Sequence, residues 1–285
     1  MLYIYFFTLD LIVFLWYTYI RKVKDNTTNQ KGLKMAAHIA FDTEATSLVK
    51  PFCYDIGYVI FDDDGVILDR KHFVVEQNWH NLPLFESAYY KEKRPLYIQG
   101  MRRHEIVMDK YGYIMQTMRR DIKKYNVVDA YAYNSSFDEK VFNFNCDWFK
   151  CNNPLEDIPV YDIMGYAVKF LADTPEYKVF CELHNLFTET GNYSMTAENL
   201  YRFITMDETF EEAHTGLKDA EIETEILFAA LRRGAHFGET YIVPKSLSRI
   251  IKRPYTIKVN GKVIYHGEYI KKYHQGDTWN FTEGE

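Results

Sequence analysis

The chain has 285 residues, 47% of them hydrophobic and 26% charged, a composition that excludes disorder, collagen-like repeats and low complexity. Its 34 basic side chains stand against 40 acidic ones, a formal charge of −6, so the overall basic excess common in nucleic-acid-binding proteins is missing. Cys53, Cys146, Cys151 and Cys181 form no C-x-x-C pair, and free thiols in a reducing compartment are expected.

Residues 2–20 carry a single charge, Asp10, and are followed at once by Arg21, Lys22 and Lys24. Such a length can span a bilayer, and the positive charges behind it would leave the rest of the chain in the cytosol. Asp10 opposes this, since a mid-membrane Asp costs about 2.5–3.5 kcal/mol. The competing expectation is that Met35 opens the soluble domain with MAAHIAFDTEATSL, and that residues 1–34, ending in a polar stretch, are an over-extended start. Both readings put the remainder in the cytoplasm.

Residues 36–42 are expected to form a short buried strand. Residues 56–62 and 66–76 read as a hairpin around the Asp-Asp-Gly turn at 63–65. Residues 104–125 have apolar side chains at helical spacing and a basic C-terminal end. A strand at 127–134 precedes a helix at 137–149, with Ser136 as its candidate cap. A strand at 158–164 follows, then a helix at 194–204 and a long amphipathic helix at 216–233 that ends at Gly234. This order predicts an α/β fold with a mixed five-stranded sheet flanked by helices. Beyond it, Asn260-Gly261 sits between β-branched residues in 256–267, a hairpin signal. The expected organisation is a segment 1–34, a domain 35–234 and a basic, aromatic extension 235–285.

Chemistry is carried by acids. Asp42 and Glu44 end the first strand, and residues two apart in a strand leave it on one face. A D-x-E triplet alone arises about once by chance in such a chain, but same-facing acids at a strand end must be neutralised by solvent or by a divalent cation. Asp138, in YNSSFDEKVF, falls behind a strand in the first turn of a helix, where the helix dipole also favours an acid. Asp219 lies on the long helix with His214 five residues ahead. Its face is shared by Glu223, as a solvated i,i+4 surface would also arrange.

Taken in order, FDTEATSL, YNSSFD and AHTGLKDAEIETEIL resemble the three motifs of the DnaQ-like DEDDh 3′–5′ exonucleases, the superfamily of polymerase III epsilon subunits, RNase T and oligoribonuclease. The resemblance covers about residues 36–234. It implies an RNase H-like fold, two bound Mg²⁺ or Mn²⁺ ions, and release of nucleoside monophosphates from single-stranded or frayed 3′ ends. Asp42, Glu44, Asp138 and Asp219 would be the metal ligands and His214 the general base. The four residues between His214 and Asp219 favour this branch over the one that uses Tyr. Oxygen ligands suit hard cations, two such ions serve an in-line displacement, and a His of near-neutral pKa can take a proton from water.

Four further positions match. Thr43 and Leu48 fall where the first motif lines the terminal nucleotide, and Asn134 and Phe137 match the Asn and Phe of the second. Phe137 is equally explained as core, Ser47 stands where the family usually has Gly, and Asp162 reads as a helix cap.

The net charge hides a segregation. Residues 91–124 hold ten Lys or Arg against four acids, residues 245–272 hold eight against Glu268 alone, and residues 155–225 hold sixteen acids against four bases. Basic stretches beside an acidic centre suit a groove that grips a phosphate backbone. Tyr255, Tyr265, Tyr269 and Tyr273 could stack unpaired bases, or pair across a solvated hairpin. The expected partners are 3′ ends of single-stranded DNA or RNA, and any proofreading role would need a polymerase in trans. The competing function is a non-catalytic nucleic-acid or polymerase-binding module on the same fold. A missing acid or base would mark it, and all five positions are filled.

Overall fold

The computed structural model describes the backbone of residues 36–259 and 262–272 and the side chains of residues 36–249. The expected membrane span or over-extended start at 1–34, the Asn260-Gly261 turn and Tyr273 lie outside the described residues. Among the described residues no helix is long and apolar enough to cross a membrane.

Three strands open the fold: β1 (Ala37–Ala45), β2 (Cys53–Asp62) and β3 (Ile67–Val75), each antiparallel to the one before. The chain then leaves the sheet through α1 (Glu76–His80), α2 (Leu82–Phe85), a 3₁₀ turn (Lys91–Lys93) and α3 (Arg94–Arg102). It returns as β4 (Val107–Asp109), parallel to β3. After α4 (Tyr111–Tyr125), β5 (Val127–Ala132) pairs parallel to β1. Then α5 (Ser135–Phe149) leads to β6 (Val160–Asp162), parallel to β5. Helix α6 (Ile163–Ala167) runs into a π-helical turn, Val168–Ala172, before α7 (Pro175–His184), α8 (Ala197–Thr205) and α9 (Gly216–Arg232). The sheet order is β4-β3-β2-β1-β5-β6. This is the mixed, helix-flanked RNase H-like arrangement expected from the sequence, with six strands rather than five. The C-terminal hairpin is present as β7 (Ile250–Val259) and β8 (Lys262–Lys272), paired antiparallel.

The sixth strand corrects the helix expected at 104–125. His104 has a positive φ of 59°, which breaks a helix. Val107, Met108 and Asp109 then pair with Phe73, Val74 and Val75, and Lys110 stays extended before α4 begins. Apolar residues at helical spacing here serve an edge strand, because an open edge of β3 was available to pair. Ser136 is likewise not the cap of α5: Asn134 occupies that position in the left-handed region, with no side-chain cap bond. Asn134 donates its N–H to Asp162 Oδ1 at 2.9 Å, so a neighbouring strand end pins the turn instead. The same Asp162 oxygen accepts from Met164 N–H at 2.8 Å, capping α6 as expected.

Strand alternation divides the core between the two sheet faces. Ile39, Phe41, Ile56, Tyr58 and Ile60 point to the side covered by α4 and α5, with Tyr111, Ile114, Val141 and Phe142. Ala40, Val59 and Phe61 point to the other side, against Ile163, Leu171, Leu200, Ile226 and Leu227. β2 is buried along its whole length, which explains the apolar run at 56–61.

Candidate active site

β1 and β5 are parallel neighbours, so their C-terminal ends emerge side by side. Asp42, Thr43 and Glu44 from β1, Asn134 and Phe137 from the β5–α5 junction, and His214 and Asp219 around the start of α9 line one cleft of about 580 Å³. Tyr90, Tyr133, Glu212 and Glu223 line it too. Leu48 does not: it lies 72% exposed in the loop after β1. That loop turns at Ser47 without glycine, because the Ser47 hydroxyl donates to Lys50 O at 3.0 Å and accepts from Lys50 N–H at 3.1 Å. Phe137 lines the cleft and also packs on the core.

Two glycines bring α9 to the strands. A Cβ on Gly57 of β2 would sit 1.9 Å from Leu217 N, and one on Gly216 would sit 2.6 Å from Gly57 N. Only hydrogens fit there, so the helix start seats directly on the sheet and Asp219 reaches the ends of β1 and β5.

The acids are held apart from ordinary solvation. Thr43 donates to Asp138 Oδ1 twice, from its N–H at 2.9 Å and from its hydroxyl at 2.7 Å. Burial still pushes the Asp138 carboxyl up to about 7, against the pull of those two donors. Burial, with Glu212 nearby, pushes Asp219 up to about 8. Asp42 is raised well above the usual carboxylate range by burial and then by Asp138, Glu223, Glu44 and Asp219. Glu44 is raised by burial and then by Asp55 and Asp219. Burial, with Glu198 beside it, pushes Glu212 up to about 7. In each case burial, and next to it neighbouring carboxylates, disfavour the charged form.

Asp42 Oδ2 and Asp219 Oδ1 are buried without a hydrogen-bond partner. Leaving carboxylate oxygens unpaired in the interior is costly, and an oxygen-rich donor set is what a hard divalent cation requires. Ligand atoms of Glu44, His214 and Asp219 lie within 4.8 Å of one another, as do those of Glu198, Glu212 and His214. The residues present therefore fit divalent cations.

His214 sits at φ 51°, a left-handed conformation uncommon for such a residue and of the kind that collects at functional sites. The Tyr90 ring stacks on the imidazole at 4.2 Å and 11°. Burial and then Lys93 lower the His214 pKa, keeping the ring neutral. Glu212 Oε2 lies 3.8 Å from His214 Nδ1.

Glu223 corrects the solvated surface considered for Asp219 and its i+4 neighbour. It is 4% exposed and accepts the Tyr133 N–H at 3.1 Å, because this face of α9 turns toward the ends of β1 and β5. The i,i+4 spacing from Asp219 was its signal. Glu212, two residues before His214, was marked only by the acidity of its stretch. Tyr90, brought in by the excursion between β3 and β4, had no signal at all.

No protein-family model matches the sequence, and no curated protein matches it. Among solved structures, an exonuclease I structure described as suggesting how processivity is achieved is similar at 15% identity and a TM-score of 0.48, covering 70% of this chain and 41% of that one. A product-bound exonuclease I is similar at 14% identity and a TM-score of 0.47, covering 70% and 44%. E. coli exonuclease I with a 5cy-dT13 oligonucleotide is similar at 13% identity and a TM-score of 0.46, covering 70% and 41%. The chain thus spans 41–44% of the length of these proteins.

Proposed function

We propose that the protein is a metal-dependent 3′–5′ exonuclease that releases nucleoside monophosphates from single-stranded or frayed nucleic-acid ends. The observation that carries this reading is the meeting of three motifs far apart in the chain, Asp42/Glu44, Asn134/Phe137 and His214/Asp219, in one cleft that contains two unpartnered buried carboxylate oxygens, with Asp138 bonded to the cleft residue Thr43.

Asp42, Glu44, Asp138 and Asp219 would hold two divalent cations, Mg²⁺ or Mn²⁺. When bound, such ions activate a water and stabilise the leaving 3′ oxygen. His214, neutral because burial and Lys93 lower its pKa, accepts a proton from the attacking water. Tyr90 holds the imidazole plane by stacking. Thr43 fixes the Asp138 carboxylate through two donors, and its backbone borders the space for the terminal nucleotide. Asn134 and Phe137 wall the same space, where a ring can pack against a base.

The test is digestion of 3′-labelled single- and double-stranded DNA and RNA by the purified protein, with Mg²⁺ or Mn²⁺ and with EDTA. Stepwise shortening that EDTA abolishes is expected, and Asp42→Ala or Asp219→Ala should remove it while the fold remains. If no oligonucleotide of either kind is shortened, the reading fails.

A further inference from the structure

Glu223 is a buried acid of the cleft to which the motif resemblance assigns no role. It lies one helical turn beyond Asp219 on α9, the spacing that puts two side chains on one face. Its carboxylate is 4% exposed, and Oε2 accepts a single backbone donor, Tyr133 N–H, at 3.1 Å. No Lys or Arg among the described residues forms an ion pair with it. Its charged neighbours are acids, Asp138 and Asp219 among them. One backbone N–H is too little to replace the hydration of a carboxylate, and like charges raise the cost further. On the same face, Asp219 is 4% exposed with Oδ1 unpartnered, so two buried carboxylates stand one turn apart with few donors between them.

We infer that Glu223 is a fifth carboxylate of the cation-binding group, acting with Asp42, Glu44, Asp138 and Asp219. This rests on the reading of the cleft as a divalent-cation centre. Tyr133 N–H holds one oxygen of Glu223 in place; Glu223 belongs to neither close cluster of candidate ligand atoms, so its charge acts from beside them. The extra charge adds to the mutual repulsion of the carboxylates and so deepens their attraction for divalent ions, which would offset it. The alternative is that Glu223 merely satisfies the Tyr133 N–H, a task that a neutral carbonyl performs equally well.

Glu223→Gln separates the two, since it keeps the size and the acceptor and removes the charge. Mn²⁺ binding to the metal-free protein would be measured by calorimetry and by electron paramagnetic resonance of free Mn²⁺, beside thermal unfolding without metal. Mn²⁺ affinity should fall about 10–100-fold, the loss typical when a group supporting a metal site is removed, while the metal-free variant unfolds at an equal or higher temperature. An affinity within two-fold of the unsubstituted protein would overturn the inference. Should Glu223→Gln not fold, Glu223→Asp withdraws the charge by one methylene: weaker Mn²⁺ binding supports the role and unchanged binding overturns it. Nuclease assays on the same samples keep the two readings apart. An unsubstituted protein that binds Mn²⁺ but shortens no oligonucleotide defeats the exonuclease reading and leaves Glu223 to be decided by affinity, whereas one that binds no Mn²⁺ overturns both.

Discussion

Asp55 on β2 accepts a hydrogen bond from the backbone N–H of Gly216, 161 residues later, at 2.8 Å. The same oxygen accepts from the Tyr97 hydroxyl at 2.7 Å, and the other oxygen meets His72 Nε2 at 2.8 Å. One buried carboxylate thus ties the start of α9, which carries Asp219, to β3 and to the excursion that carries Tyr90. Asp55→Ala leaves three buried polar groups without this partner, each costing about 1–3 kcal/mol. A stability loss on the order of 3–5 kcal/mol is expected in chemical denaturation, with Asp55→Asn much milder because one acceptor oxygen remains.

The contact of Gly57 with Gly216 and Leu217 makes a steric prediction. A methyl at Gly57 meets backbone atoms at 1.9–2.3 Å, which no side-chain rotation relieves. Gly57→Ala should cost about 1–3 kcal/mol or more and shift α9 away from β1. Cleavage should then fall further than in a surface substitution of equal thermal stability, measured on the same labelled oligonucleotide.

His214→Ala should slow cleavage by about 10²–10⁴-fold, the usual contribution of a positioned general base, while single-stranded oligonucleotide binding changes little. Single-turnover rates set against binding measured in Ca²⁺ would check this. A variant that loses binding and rate together would make His214 a binding residue instead.

Metal removal and pH are linked through the carboxylates. Asp138 and Asp219 hold their protons up to about 7 and about 8 in the folded, metal-free protein, against roughly 3.9 in an unfolded chain. A folded pKa above the unfolded one means stability that is complete below about pH 4 and is lost as pH rises through about 7–8. The metal-free protein should therefore lose on the order of a few kcal/mol, roughly 5–10 °C in Tm, between pH 5 and 8. Asp138→Asn with Asp219→Asn should flatten that slope, and Mg²⁺ should raise Tm most at the alkaline end, where the ligands are already ionised. Scanning calorimetry across pH with and without Mg²⁺ gives the answer.

Most strands were legible because β1, β2, β3 and β5 carry runs that pack on both sheet faces, and Asp162 was legible as a cap from its place at a strand end. The strand at 107–109 was not, since three residues show no period and their state depends on the free edge of β3. Asn134 as the start of α5 was hidden for a similar reason: its N–H partner, Asp162, is 28 residues away. Leu48 matched its motif by position, but the loop after β1 carries it outward into solvent.

By itself the sequence determined the identity and order of the acids, the spacing of His214 from Asp219, and the alternation that sends Asp42 and Glu44 off one face of a strand. These depend on the chain's own geometry, 3.6 residues per helical turn and two per strand repeat. Only the tertiary structure decided what each face meets. It turned the Glu223 face of α9 inward, brought Tyr90 onto His214 from a segment without a motif, and left Asp42 Oδ2 and Asp219 Oδ1 without partners. A carboxylate's burial and its neighbours are set by parts of the chain far away in sequence, and those neighbours separate an acid that faces water from one that needs a cation.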